Sequence, residues 1–402
     1  MKKILILGAG IYQVPLIKKA RSMGLYTIAA SYAGSYPGLS IAHEVWNVDT
    51  RDYQRLIRLS RKSGIDGICT SGTDVAILSL GAVCENLSLC GLSLPCAKTV
   101  TDKAAMKEAF KHGGVSTPRF RRASTLEETL EAFHALGSPV IVKAVDSSGS
   151  RGITRADSEE AVRTAWKAAV KVTRKDYVLV EEFITAHEIG VDGFIADGSI
   201  QFMLPHDKFT LTTGGTTLPE GHHFPFHCSE ALHREILRQM ELVIRATGMN
   251  NCAVNADVLV SGSKAWILEA GGRAGATCIP ELISCHCGFN YYEQMILHAM
   301  GEKADFTPHS KTPCMAKLLF SKRQGTITQI KKDVLEELGA EGIQVSLDYP
   351  VGTQVEAVQN GTSRIGQVIM ETDDVKKLDR AMSKVRSAVH IDQVSLETIW
   401  NE

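Results

Sequence analysis

Ser138-Pro-Val-Ile-Val-Lys-Ala-Val-Asp-Ser-Ser-Gly-Ser-Arg-Gly152 joins a short β-branched run to a loop of small residues, with one lysine at the junction. Val140, Ile141 and Val142 read as a buried strand. Ser147 to Gly152, which includes Ser148 and Gly149, has the small side chains that let backbone N–H groups approach an anion closely. Lys143 and Arg151 put positive charge on either side of that loop, and a lysine among valines is no ordinary surface lysine. The stretch therefore suits a polyphosphate. No Gly-Lys-Ser/Thr follows at the Walker A spacing, so a nucleotide held here sits in a different fold.

The rest of the chain sets the frame for that loop. With 402 residues, 44% hydrophobic and 22% charged, it has the composition of a soluble globular protein of two to four subdomains. Its 44 Lys+Arg balance 45 Asp+Glu and no basic block stands out, which argues against a nucleic-acid or membrane-surface partner and for a small-molecule ligand. The apolar run after Met1-Lys-Lys3 stops within four residues and reads as a first strand rather than a signal peptide. No window reaches the roughly 18 apolar residues of a membrane span. Most of the ten cysteines stand alone in apolar segments, as in a reduced, cytoplasmic protein. Cys278, Cys285 and Cys287 cluster around His286, but Cys-x-Cys lacks the Cys-x-x-Cys spacing of structural zinc sites and reads as buried or loop-lining thiols.

Residues 1–97 read as an open parallel α/β unit, with strands Lys3 to Leu7, Tyr26 to Ala30 and Gly67 to Thr70 between helices Gln13 to Met23, Asp52 to Ser63 and Asp74 to Glu85. Gly8-Ala-Gly10 matches part of the dinucleotide fingerprint, but Gln13 stands where the third glycine belongs, and a tight strand-to-helix turn is the preferred reading. Tyr12, Gln13 and the Ser71-Gly-Thr-Asp74 loop lie outside the carboxyl ends of the strands, where open sheets collect ligands. A helix opens at Asp102-Lys103. Thr125-Leu-Glu-Glu128 and Asp157-Ser-Glu-Glu160 cap two more. Tyr177 to Val180 is a strand ending in Glu181-Glu182-Phe183-Ile184, and Glu188 to Ile195 alternates as a partner for Ser199 to Leu204. Cys252 to Val260 and Ala265 to Glu269 read as adjacent strands that, paired antiparallel, set Asp257 opposite Glu269. Thr212 to Pro225 is rich in breakers and reads as a mobile loop near substrate. From about 310 a smaller α/β tail has strands at Ala316 to Phe320 and Gln367 to Met370 and a helix after Thr372-Asp-Asp374.

Asp102-Lys103, Lys143 before its loop, Glu181 to Ile184, Glu188, Asp257, Glu269 and Arg273, taken in this order, resemble the ATP-grasp superfamily of carboxylate–amine ligases over about residues 1–310. The resemblance implies an α/β fold in three parts: an N-terminal pre-ATP-grasp domain (1–97), an ATP-grasp domain (98–310, lid about 117–182) whose two sheets clamp the nucleotide, and a C-terminal α/β subdomain (311–402). It implies ATP, with Lys103 and Lys143 on the phosphates, Ser148 and Gly149 in the lid, Glu181, Glu182, Phe183 and Ile184 at the adenine, and Glu188 at the ribose. It also implies Mg²⁺, or Mn²⁺ in its place, between Asp257 and Glu269. Two acids on a half-buried face with no lysine beside them repel each other, which a cation between them would relieve.

Arg273, with Lys143, would serve the transferring phosphoryl group. The usual Glu-x-Asn-Pro-Arg run stands here as Glu269-Ala-Gly-Gly-Arg273, so Gly271 replaces the asparagine that completes the second metal site, with Asn255 available as a substitute ligand. Glu220, Gly221, His222 and Pro225 match a Glu-Gly-His-x-x-Pro run of the L-amino-acid ligase branch, which implies Glu220, His222 and Arg273 at the substrate. The tail, especially Ser363-Arg-Ile-Gly366, is similar to that branch too. The implied reaction joins a small carboxylate to an amine through an acyl phosphate, in a chain compatible with a homodimer. Two other readings stay open: a catalytically weakened ATP-binding regulator, motivated by Gly271, and a biotin-carboxylase-like ATP-dependent carboxylase.

Overall fold

The computed structural model describes residues 1–146, 152–213 and 216–401. Among these no helix is long and apolar enough to cross a membrane. The chain divides into two units, Met1–Pro205 with His227–Ala274 and Glu293–Ala304, and His206–Phe226 with Gly275–Tyr292 and Asp305–Glu402. The fold is α/β, with a parallel N-terminal sheet followed by antiparallel sheets.

In the first unit, strands Glu44–Asn47, Tyr26–Ser31, Lys3–Leu7 and Gly67–Cys69 lie side by side in that order, all parallel. Ile4 to Leu7 are fully buried, as a strand covered on both faces requires. The order reverses beside Lys3–Leu7, the kind of switch point where such sheets gather ligands. Gln13 closes the glycine turn there. Its amide oxygen accepts from Gly10 N at 2.9 Å and its nitrogen donates to Ser71 O at 2.5 Å, so the turn is satisfied from within.

A four-stranded antiparallel sheet follows, ordered Phe120–Ala123, Val178–Glu182, Val140–Lys143 and Ile153–Ala156. Helices Leu126–Leu136 and Glu159–Val172, capped by Thr125 and Ser158, cover it and bury Val140, Val142, Val178 and Val180 in a core of their own. Strand Cys252–Ser261 lies between Lys264–Gly271 and His187–Ala196, antiparallel to both, and Ser199–Thr213 flanks His187–Ala196.

In the second unit, Thr216–Phe224 pairs antiparallel with the outer part of Ser199–Thr213 and with Cys314–Leu319. The segment expected to be a mobile loop is thus a hairpin arm. Its β-branched threonines pair across the strands, Thr212 with Thr217, and Gly221 is required because a Cβ there would lie 1.9 Å from Ala316 O. Gly366–Met370 extends the sheet, and helix Val375–Ala388, capped by Asp374, packs its apolar side into a core with Met315, Leu319 and Val368.

Candidate functional site

The site of the first unit is built on helix Lys103–His112. Asp102 caps it, accepting from Ala104 N and Ala105 N, while the Tyr177 hydroxyl donates to the same carboxylate at 2.6 Å. Lys103 N donates to Val145 O at 3.0 Å, tying the helix start to the segment that follows Lys143. With its first turn fixed, the helix presents Lys103 and Lys107 on one face, four residues apart. Lys103 Nζ meets Glu269 Oε2 at 2.5 Å. Lys107 Nζ lies 3.3 Å from Glu181 Oε1, and Lys143 donates to Glu181 Oε2 at 2.7 Å.

Glu181 and Lys107 are each 1% exposed, so two cations enclose one anion out of reach of water. The two partners respond differently. Burial, aided by the neighbouring Lys143, pushes the Lys107 ammonium down to about 8 against the support of Glu181. Burial would raise the Glu181 carboxyl, but Lys107 and Lys143 together outweigh it and hold it below the usual carboxylate range. Lys107 has no motif to announce it, and its i, i+4 spacing from Lys103 is its only trace in the sequence.

Asp257 and Glu269 face each other in register, beside a bulge at which Leu268 is the extra residue. Burial opposes the charge on Glu269, but Lys103, Lys143 and Arg273 pull its carboxyl well down, an effect softened because 40% of the side chain meets solvent. The expected repulsion between the two acids therefore does not stand alone: Lys103 already compensates Glu269. Among the described residues no group of three His, Cys, Asp or Glu forms a closed metal cage. Two hard carboxylates facing each other still fit magnesium, which takes one or two carboxylates with waters and substrate phosphates.

Arg273 is committed in three directions. Nε and Nη2 form a bidentate pair with Asp74 at 2.7 and 2.9 Å, and Nη1 donates to Asn255 Oδ1 at 2.6 Å and Ala274 O at 3.3 Å. Asn255 Nδ2 in turn donates to the fully buried Asp192 at 2.9 Å. Among the described residues those contacts use four of the five guanidinium donors and leave one. They also occupy both ends of the Asn255 amide, which is thereby a link in this network rather than an open metal ligand.

At the end of strand Val178–Glu182, Glu182 takes Arg119 N and Nε on its carboxylate, while Glu182 N and Phe183 N donate to Arg119 O and Pro139 O. Among the described residues Ile184 N–H has no backbone acceptor. Phe183 is 37% exposed under the Arg155 guanidinium, and Glu188 stands exposed at the start of its strand. Ser148, Gly149 and Arg151 lie outside the described residues.

In the second unit, Glu220 is the extra residue where the hairpin register shifts between Phe209 and Thr210, 3.5 Å from Arg386 Nη2 and 4.0 Å from Lys317 Nζ. Burial raises its carboxyl despite those two cations. His222 is 3% exposed and packs edge-on against His206, and burial with that neighbour pushes it well below the usual histidine range, so it is a neutral ring. Cys278, Cys285 and Cys287 are free thiols, and Cys278 Sγ donates to Gln367 Oε1 at 3.0 Å.

Residues 108–191 match the ATP-grasp domain, which spans Lys143, Glu181 to Ile184 and Glu188. The chain carries an ATP-grasp domain. Similarity extends beyond it. The alanine–anticapsin ligase of Bacillus subtilis (strain 168) is 25% identical over 266 residues, covering 60% of this chain and 56% of that one. The chain spans about half the length of the curated relatives it matches. Among solved structures, phosphoribosylglycinamide synthetase from Anaerococcus prevotii superposes with a TM-score of 0.78 at 28% identity, over 97% of this chain and 99% of that one. An L-amino acid ligase from Bacillus licheniformis gives 0.78 at 17% identity over 97% and 98% of the two chains, a likeness of fold.

Proposed function

We propose that the protein is an ATP-dependent carboxylate–amine ligase acting on an amino acid or a related small carboxylate. One observation carries this reading. Lysines from two separate elements, Lys103 and Lys143, converge with the in-register carboxylates Asp257 and Glu269, and Lys103 feels Glu269, Asp74 and Asp257 together. Such an array of cations beside two carboxylates suits a metal-bound triphosphate.

In this reading Lys103 and Lys143 hold phosphate oxygens, the 181–184 segment meets the adenine through backbone groups, and Glu188 takes the ribose. Glu181 has a supporting part, orienting Lys143 from a site closed to water. Asp257 and Glu269 would hold Mg²⁺, which would neutralise charge on the phosphates. A substrate carboxylate oxygen attacks the γ-phosphorus and ADP departs. The amine nitrogen then attacks the acyl carbon, phosphate leaves and the amine gives up a proton. The N–H of Arg273 left uncommitted among the described residues is the donor available to the transferring group. The Glu220 to Pro225 run belongs to substrate binding through its likeness to the amino-acid ligase branch, with Glu220 as its charged member.

The test is ADP and phosphate release with Mg-ATP against a panel of carboxylates and amines, with hydroxylamine added to trap an acyl phosphate as the hydroxamate. Release that needs both substrates, together with hydroxamate formation, is expected. Nucleotide binding with no turnover on the whole panel would favour a regulatory protein, and release that needs bicarbonate and no amine would favour a carboxylase.

A further inference from the structure

Gly271 departs from the pattern of its family, and its surroundings supply a reason. A Cβ built on Gly271 would lie 3.1 Å from Asp74 Oδ1, with Arg273 Nε and Cγ next at 3.8 and 3.9 Å. The space a side chain needs there is held by a carboxylate from a loop 197 residues earlier in the chain. That carboxylate is the same one that grips Arg273 through two parallel hydrogen bonds. Its loop is fixed as well. Ser71 forms a bridge to Ala274, Gly72 N donates to Ala274 O at 3.0 Å, and Ser71 O accepts from Gln13 while Ser71 Oγ donates to Tyr12 O.

We propose that Asp74 and Gly271 are a compensating pair: Asp74 fills the place of the side chain missing at 271 and acts as the positioning residue for Arg273. The site is then completed across the N-terminal sheet instead of along the metal-bearing strand. A Cβ at 271 would crowd the Asp74 carboxylate rather than strain the backbone, and the glycine is no sign of decay. Asn255, itself held by the buried Asp192, takes Nη1 of Arg273, so that the guanidinium is oriented by Asp74 and by Asn255 together.

For its kinetic readout this inference rests on the ligase reading; its structural readout does not. Asp74→Ala, Gly271→Asn and the double variant form a cycle, with Asp74→Asn keeping the side-chain shape should the alanine variant fold poorly. In the wild-type background Gly271→Asn should lower the melting temperature by about 2–4 °C or more, because the new side chain and Asp74 compete for one space. In the Asp74→Ala background the same substitution should cost far less. In turnover, Asp74→Ala should lower kcat by about 10²-fold with KM for ATP little changed, and Asp74→Asn should fall between. Equal effects of Gly271→Asn in the two backgrounds would overturn the pairing. An unchanged kcat in Asp74→Ala would overturn the positioning role. Should the wild-type chain turn over no substrate pair, the ligase reading fails while the melting-temperature cycle still decides whether the two positions compensate.

Discussion

Replacing Lys107 with methionine and Glu181 with glutamine should give opposite results, although the two residues form one ion pair. Lys107 sits at about 8 in the folded protein against 10.5 for a free lysine. At about 1.4 kcal/mol per unit, its environment disfavours the charged form by about 3 kcal/mol. Lys107→Met removes that burden and leaves Glu181 with its 2.7 Å partner Lys143, while Thr117 keeps its own bond to Ile267 O. Its stability should lie within about 1 kcal/mol of wild type or above it. Glu181→Gln instead leaves two buried ammonium groups facing a neutral amide. Removing one partner of a buried pair typically costs about 3–5 kcal/mol, and here two cations lose the same partner.

Thermal unfolding with and without ADP, combined with amide exchange on strand Val178–Glu182, distinguishes the two variants. The pH dependence adds a second reading. Because the folded value of Lys107 is depressed, the native state holds fewer protons than the unfolded chain between about pH 8 and 10.5. Stability linked to this group therefore rises with pH across that window, and the advantage of Lys107→Met is largest below pH 8 and shrinks above it. A Lys107→Met protein as unstable as Glu181→Gln, or one whose difference from wild type grows between pH 8 and 10, would refute this account of the pair.

Lys143→Ala should keep the fold, judged by circular dichroism, and lose at least about tenfold in ADP affinity by calorimetry, since it removes a charged contact worth about 1.5–3 kcal/mol; undiminished affinity would take Lys143 out of the site. Asp257→Asn and Glu269→Gln should each raise the Mg²⁺ concentration needed for tight ADP binding, and a metal titration identical to wild type in both would remove the pair from metal binding. Glu269→Gln should in addition free Lys103. On acidification, the depressed carboxyls of Glu181 and Glu269 contribute stability that is full above their unfolded value near 4.5 and is lost as pH falls through their lower folded values. Melting curves between pH 3 and 7 should therefore fall less steeply for Glu269→Gln than for wild type, and parallel curves would count against the depressed carboxyl.

What could be read from the sequence was what neighbouring residues decide. Asp257 and Glu269 could be placed opposite one another because two alternating runs joined by Ser261-Gly-Ser263 have few registers that keep their apolar faces buried. Asp102 announced its helix because a cap acts within three residues. The hairpin arm at Thr216–Phe224 was hidden by its glycine and proline count. Gly221 is there for the approach of Ala316, 95 residues away, and not to break a strand. Asp74 and Arg273 were hidden for the same reason, since their bond closes 199 residues of chain. Lys107 differs again: a lysine in an amphipathic helix carries no mark of burial, and only Glu181 and Lys143, arriving from another sheet, make it part of the site. Local pattern thus marked charged groups that the structure brings together, while the groups that orient them came from contacts no local pattern encodes. For that reason the substitutions at Lys107, Asp74 and Gly271 test the site more severely than those at Lys143 or Glu269. Loss of function at a motif residue fits any ATP-grasp protein, whereas compensation between Asp74 and Gly271 is expected only if this chain completes its site across the N-terminal sheet.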